Sequence, residues 1–170
     1  MSTNDSPIVC AADVDPVGLA SRMNAFIENQ IPVMYRLGIR IVDLREGVVV
    51  GAAPLAGNVN HLGTMYAGTL FGLAEVLGGG VFFANFDLHR FAATVKDVQI
   101  RYRRPATTDV RAQALLDTAT IARIKREADT CGKTEFALDA QLIDTAGAVV
   151  ATSHGTYQIR AYATTSNRKQ

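Results

Sequence analysis

The sequence predicts an α+β protein, a long central helix wrapped by a mostly antiparallel sheet of about five or six strands, with an extra helix on the N-terminal side. Three observations predict it. From Tyr66 to Phe83 every residue but one is uncharged, and most are apolar or small, the pattern of a helix buried on nearly all faces. Beyond that stretch the apolar period changes from about 3.6 residues to about 2, in runs long enough to be strands. The order of elements is helix, two strands, buried helix, then three or four long strands, which separates helix from sheet and lets a twisted sheet wrap a single helix.

Taken in order, Asp15-Pro16 reads as an N-cap followed by proline at the first helical position, opening a helix over about residues 16 to 30. Leu19, Met23, Phe26, Ile27 and Ile31 recur at helical spacing and predict one packed face. Pro32 ends or interrupts this helix, and Gly38 closes the segment. Ile39 to Leu44 and Val48 to Leu55 are strand-like runs joined through Arg45-Glu46-Gly47, a hairpin length, and Pro54 and Gly57 finish the second. The central helix follows. Its Gly68, Gly72 and Gly78-Gly79-Gly80 admit two readings: the triple glycine ends or kinks the helix, or missing side chains let neighbours approach closely. Val98, Ile100 and Tyr102 then alternate with Gln99, Arg101 and Arg103 until Pro105. Val110 to Ile124 is expected as a second, longer strand with an irregularity near Asp117, where the alternation slips. Phe136, Leu138, Ala140 and Leu142 alternate with Glu135, Ala137, Asp139 and Gln141, a sheet with one covered face. Asp144 to Gly147 is a turn, and Val149 to Tyr162 is the last strand. The domain expectation is a flexible N-terminus over 1–14, a single domain over 15–162 and a flexible tail over 163–170.

A chain of 170 residues suits one domain with its own core. Seventeen basic against sixteen acidic residues leave a net charge of +1, which provides no field for nucleic acid or an anionic membrane surface. A phosphate-bearing partner must therefore be held locally. Glu75 and the flanking glycines interrupt the one candidate for a membrane-length apolar run, and Met1 to Ser6 lacks the basic and apolar regions of a signal peptide. Cys10 and Cys131 are too few for a disulfide framework and are read as fillers in a reduced, cytoplasmic compartment. His61, His89 and His154 are scattered and give no metal-ligand spacing, so no metal is expected. His89 is expected on a surface loop and His154 on the sheet. The sequence carries no G-x-S-x-G elbow, phosphate loop or dinucleotide fingerprint, and no cofactor is expected.

The one charge in the central helix is Glu75. A lone carboxylate among apolar residues is costly unless partnered or neutralised. Either it is paired with an arginine or with hydroxyls for reasons of fold, or its raised pKa serves as a base.

Asn60-x-x-Gly63-Thr64-x-x-Ala67-Gly68-x-Leu70-Phe71-x-Leu73-Ala74-Glu75 resembles, without a gap, the signature of the hotdog-fold acyl-CoA thioesterases, in the phenylacetyl-CoA thioesterase-like and uncharacterised thioesterase branches. The resemblance covers about residues 30 to 162. It implies a hotdog fold and hydrolysis of acyl-CoA or acyl-carrier thioesters. It implies that Glu75 takes the place of the catalytic Asp, that Asn60 is the asparagine of the active-site loop, and that Ala67 supplies the oxyanion N–H. Three positions depart from the pattern: Tyr66 replaces a histidine, Ala67 a glycine and Glu75 an aspartate. An alanine still supplies a backbone N–H and a glutamate still supplies a carboxylate.

The chemistry of these residues agrees with the resemblance. Thioester hydrolysis needs an activated water or a carboxylate nucleophile, and donors aimed at the oxygen that becomes negative. The first N–H groups of a helix lack intrahelical partners, so Tyr66-Ala67-Gly68 is an oxyanion candidate. His61, Thr64 and Tyr66 are expected to line the substrate site, although the family pattern has no histidine at position 61. Arg101, Arg103, Arg104 and Lys96 form the densest basic set near a strand end; Arg103 and Arg104 are candidates for CoA phosphates, the alternative being a solvated strand face. Ala67 and Glu75 are about 12 Å apart along one helix, too far to share a thioester carbon. A homodimer with two shared sites is therefore expected, and a dimer of dimers stays open. The remaining readings are a non-catalytic acyl-binding protein and, less favoured, a hydroxyacyl dehydratase, whose histidine- and proline-rich loop Asn60 to Thr64 lacks.

Overall fold

The structure is a computed structural model and describes residues 18–162. The helix start expected at Asp15-Pro16, the segments expected to be flexible and Cys10 lie outside these residues. Helix α1 (Leu19–Gln30) is interrupted where Pro32 opens the short α2 (Pro32–Arg36). The buried face of α1 is Ala20, Met23 and Ile27, whereas Phe26 and Ile31, expected on that face, are 42% and 38% exposed. Gly38, at φ +73°, turns the chain into β1 (Arg40–Arg45), which pairs with β2 (Val48–Ala53) through a tight turn where Gly47 has φ +76°.

Helix α3 (Ala67–Asn85) follows, then β3 (Phe91–Tyr102) and β4 (Val110–Leu115). The strand expected over Val110 to Ile124 is corrected at Asp117. There the chain leaves β4 and enters α4 (Thr118–Cys131), then β5 (Lys133–Asp144) and β6 (Val149–Ala161). The slip in alternation is a helix start: the Asp117 carboxylate accepts from the Thr120 N–H at 2.8 Å and the Thr120 hydroxyl at 2.6 Å. Ile121, Ile124 and Ala128 form the buried stripe of α4, and Gly132 at φ +71° stops it.

The six strands form one antiparallel sheet in the order β1-β2-β4-β5-β6-β3. The alternation expected for β5 is present: Thr134, Phe136, Leu138, Ala140 and Leu142 are buried and Glu135, Ala137, Asp139 and Gln141 exposed. The two edges differ. At β1 the Asn24 side chain of α1 exchanges two hydrogen bonds of 2.8 Å with the backbone of Ile41, covering that edge. At β3 residues 94–97 are exposed and no strand among the described residues pairs with the outer side.

The core lies between the sheet and α3, which runs unbroken through Gly78-Gly79-Gly80. The glycines are therefore not a helix end. Added Cβ atoms at Gly72 and Gly80 would meet Met34 Sδ at 3.0 Å and Val49 Cγ1 at 2.6 Å, and at Gly78 the Tyr157 ring. By length and composition α3 is apolar enough to cross a membrane, contrary to the expectation that Glu75 and the glycines break such a run, yet most of it is buried inside this sheet.

Candidate active site

The loop before α3 is held by two asparagines. Asn58, buried, donates its amide to the Leu37 and Pro54 carbonyls at 2.8 and 2.9 Å and accepts from the Thr69 hydroxyl at 3.1 Å, so it fastens the loop to the helix. Asn60 closes the loop on itself. Its amide donates to Thr64 Oγ1 at 3.0 Å and the Met65 carbonyl at 3.4 Å, and its oxygen accepts from the N–H groups of Leu62 and Thr64 at 2.8 and 3.2 Å. All four hydrogen-bonding positions of the Asn60 amide are thus occupied within the loop. Gly63, at φ +78°, makes the reversal, and the Met65 N–H reaches the Ala106 carbonyl at 2.8 Å, which brings the segment after β3 alongside. His61 is exposed and has no hydrogen bond or ion pair among the described residues.

Tyr66 opens α3 with extended backbone, φ −61° and ψ 133°, and its carbonyl accepts from the Thr69 and Leu70 N–H groups. The Ala67 and Gly68 N–H groups have no acceptor among the described residues, and Ala67 is exposed. These are the unpaired donors at the positive end of the helix. The Tyr66 ring lies across Gly68, where a Cβ would collide with it. The Tyr102 hydroxyl, from the end of β3, donates to the Ala67 carbonyl at 3.1 Å; burial, then the neighbouring Tyr66, push the Tyr102 pKa up. Arg103 and Arg104 follow Tyr102 directly, exposed and without ion pairs among the described residues, as is Arg101. Lys96, expected in the same basic set, is instead paired with Glu135 at 2.7 Å.

Glu75 sits two turns into α3, half-buried, and its carboxylate has no hydrogen bond or ion pair among the described residues. The structural pairing with arginine or hydroxyls, left open by the sequence, is therefore absent within the described chain. Burial raises its pKa above the ordinary glutamate value. Its position is fixed through the backbone: the Tyr157 hydroxyl of β6 donates to the Glu75 carbonyl at 3.2 Å. The Tyr157 ring fits against Gly78 and stacks on Phe136 at 5.4 Å between centroids, and burial, then the Glu75 charge, push its own pKa up. Sequence reasoning missed Tyr157 and Asn58. The signal for the tyrosine is a phenol on the core face of a strand, which needs a polar partner.

The remaining candidates lie elsewhere. His154 is on the exposed sheet face with its Nδ1 2.7 Å from the Asp139 carboxylate, and His89 is in the exposed turn after α3. Cys131 is a free, exposed thiol at the end of α4. Among the described residues no group of His, Cys, Asp and Glu is arranged to hold a metal ion.

A long helix packed against a six-stranded antiparallel sheet is the hotdog architecture of the thioesterases among the solved structures that this chain resembles. Residues 20–161 match the family model described as "Putative thioesterase (yiiD_Cterm)", and the chain belongs to that family. It is similar to a Pseudomonas aeruginosa protein of unknown function described as a probable thioesterase, at 42% identity and TM-score 0.76, over 86% of this chain and 99% of that one. A Shewanella oneidensis "putative thioesterase" matches at 25% identity and TM-score 0.71, over 82% of this chain and 96% of that one. A Haemophilus influenzae thioesterase at 14% identity, with TM-score 0.67 over 92% of this chain and 99% of that one, shares the fold.

Proposed function

We propose that the protein hydrolyses acyl-CoA thioesters to free acid and thiol, at two sites each built from two chains of a homodimer. The observation that carries this reading is Glu75: a half-buried carboxylate with a raised pKa, on a helix whose first two N–H groups, like the carboxylate, have no partner among the described residues. In each site Glu75 of one chain either takes a proton from a water that attacks the thioester carbon, or itself attacks that carbon to form a mixed anhydride that water then hydrolyses to the free acid. The Ala67 and Gly68 N–H groups of the other chain receive the developing oxyanion, and the thiolate leaves and is protonated. Asn60 acts through the loop it closes, holding Ala67 in place. His61, Thr64 and Tyr66 border the entrance, and Arg103 and Arg104, beside Tyr102, hold the CoA phosphates.

Release of free thiol from a panel of acyl-CoA substrates tests the reading. Glu75→Gln is nearly isosteric, and it is expected to lower turnover by about a hundredfold or more in a folded protein. Unchanged turnover in that variant overturns the assignment. Charge reversal at Arg103 and Arg104 is expected to raise KM for acyl-CoA more than it lowers kcat, and an unaltered KM argues for a merely solvated strand end.

A non-catalytic acyl-binding protein would show acyl-CoA binding with no thiol release. Glu75, without an ion pair among the described residues and with its pKa raised by burial, favours the enzyme.

A further inference from the structure

We propose that Tyr102 is a positioning residue for the hydrolysis set out above: by donating to the Ala67 carbonyl it fixes and polarises the peptide unit whose other end is the Gly68 N–H, and so strengthens that N–H as an oxyanion donor. The proposal rests on the thioesterase reading and adds to it a residue from outside the loop and helix that carry the motif.

The Ala67 carbonyl and the Gly68 N–H belong to one planar trans peptide unit and point in opposite directions. In the helical pattern that carbonyl already accepts from the Phe71 N–H. It needs no second donor to be satisfied. Tyr102 nevertheless donates to it at 3.1 Å, from the last residue of β3 and 35 positions along the chain. The tyrosine is 49% exposed, so water is a ready alternative partner and burial does not force the hydroxyl onto the helix.

The bond has two consequences for the Gly68 N–H. Hydrogen bonds in a chain polarise one another, so a donor on the carbonyl draws electron density from the amide nitrogen and makes its N–H a stronger donor. The bond also ties the end of β3 to the first turn of α3, while the Ala106 carbonyl holds the Met65 N–H at 2.8 Å, and together they fix the direction of the helix start. The Ala67 N–H lies in a different peptide unit. Its carbonyl, that of Tyr66, accepts from Thr69 and Leu70 within the same turn, so Tyr102 acts on one donor of the pair. Burial, then Tyr66, hold the Tyr102 pKa above the ordinary tyrosine value, which keeps the donating proton in place near neutrality. Tyr102, Ala67 and Gly68 are on one chain, the chain that gives a two-chain site its donors. Loss of a whole oxyanion donor costs about a hundred- to a thousandfold in kcat, and one hydrogen bond strengthens the next by about 10–30%, which on the logarithm of the rate is about two- to eightfold.

The test compares wild type, Tyr102→Phe and the full chain carrying a monofluorinated tyrosine at position 102, a more acidic phenol of nearly the same shape. Thiol release from a panel of acyl-CoA substrates is measured at slightly acidic pH, where every phenol keeps its proton, and the Ala67 and Gly68 amides of the ligand-free protein are followed by NMR. Tyr102→Phe is expected to lower kcat about two- to eightfold with KM unchanged, because the oxyanion forms only in the transition state, and the fluorinated tyrosine to raise kcat. The Gly68 amide nitrogen is expected to follow the same order, upfield in Tyr102→Phe and downfield in the fluorinated protein, and to move more than that of Ala67. A role as a mere strut would not grade either readout with the acidity of the phenol. In an active enzyme, a kcat that does not follow donor strength overturns the proposal, as does a Gly68 nitrogen that moves no more than that of Ala67. A Gly68 N–H that exchanges slowly with solvent in the ligand-free protein also overturns it, since a second subunit or a residue outside 18–162 then already takes that donor. If the Gly68 nitrogen is graded as expected but wild type releases no thiol from any acyl-CoA, the polarised donor stands and the hydrolase reading fails.

Discussion

Glu75 has a folded-state pKa raised by burial, and the sign of that shift fixes two pH dependences. As a base or nucleophile it must be ionised, so the acid limb of the kcat/KM profile is expected above the ~4.3 of an ordinary glutamate. For stability, a carboxyl with a raised folded pKa keeps its proton in the native state after the unfolded chain has lost it. Stability therefore falls as pH rises through the window that begins at the unfolded value and ends at the folded one. Glu75→Gln has no such loss. The difference in Tm, variant minus wild type, is expected to increase as pH rises through that window, and a difference independent of pH contradicts the burial argument. Glu75 was legible in the sequence because a single charge in an apolar helix is visible without any contact map. Tyr157 was not, since it reaches the Glu75 carbonyl from 82 residues away. Asn60 was legible as a motif residue, but that its amide is used up within its own loop follows only from the loop's closed geometry.

At the scale of elements, long-range packing decides what local pattern leaves open. The hairpin β1–β2, the alternation of β5 and the last strand were readable because the period-2 pattern matches a sheet with one buried face. Helix α4 was not. The β-branched residues Thr118, Thr120, Ile121 and Ile124 continue the strand-like composition of β4, and the helix is revealed by its Asp117 cap, its buried stripe and Gly132. The triple glycine was ambiguous for a similar reason, because the same residues serve a kink and a close approach. The structure chooses close approach at Gly78, where the Tyr157 ring occupies the place of a side chain. Gly78→Ala must displace that ring and is expected to cost about 1–3 kcal/mol as an overpacked core site. Chemical denaturation checks this, and an unchanged midpoint would show that the ring moves freely.

For the whole molecule the two sheet edges carry the argument. The β1 edge is covered by Asn24 of α1, while β3 is twelve residues long and unpaired on its outer side among the described residues. A long open edge invites a strand from a second copy, and a two-fold pairing of β3 with β3 would bring the α3 start of each chain toward its partner. The proposed sharing of the site rests on distance: eight residues of helix separate Ala67 from Glu75 by about 12 Å, whereas in the proposed mechanism both contact one thioester carbonyl at about 3 Å. Complementation between two inactive variants tests this most directly. Tyr66, at φ −61° and ψ 133°, already has the backbone favoured before proline, so Ala67→Pro removes the donor at a position where helices accept proline. Loss of one oxyanion donor is expected to cost about a hundredfold in kcat, and Glu75→Gln at least as much. Mixed dimers of Ala67→Pro with Glu75→Gln contain one site with both groups intact, and the account predicts activity near half that of wild type per dimer. Verified mixed dimers that stay as inactive as the parent homodimers would contradict it, placing donor and carboxylate of each site in a single chain.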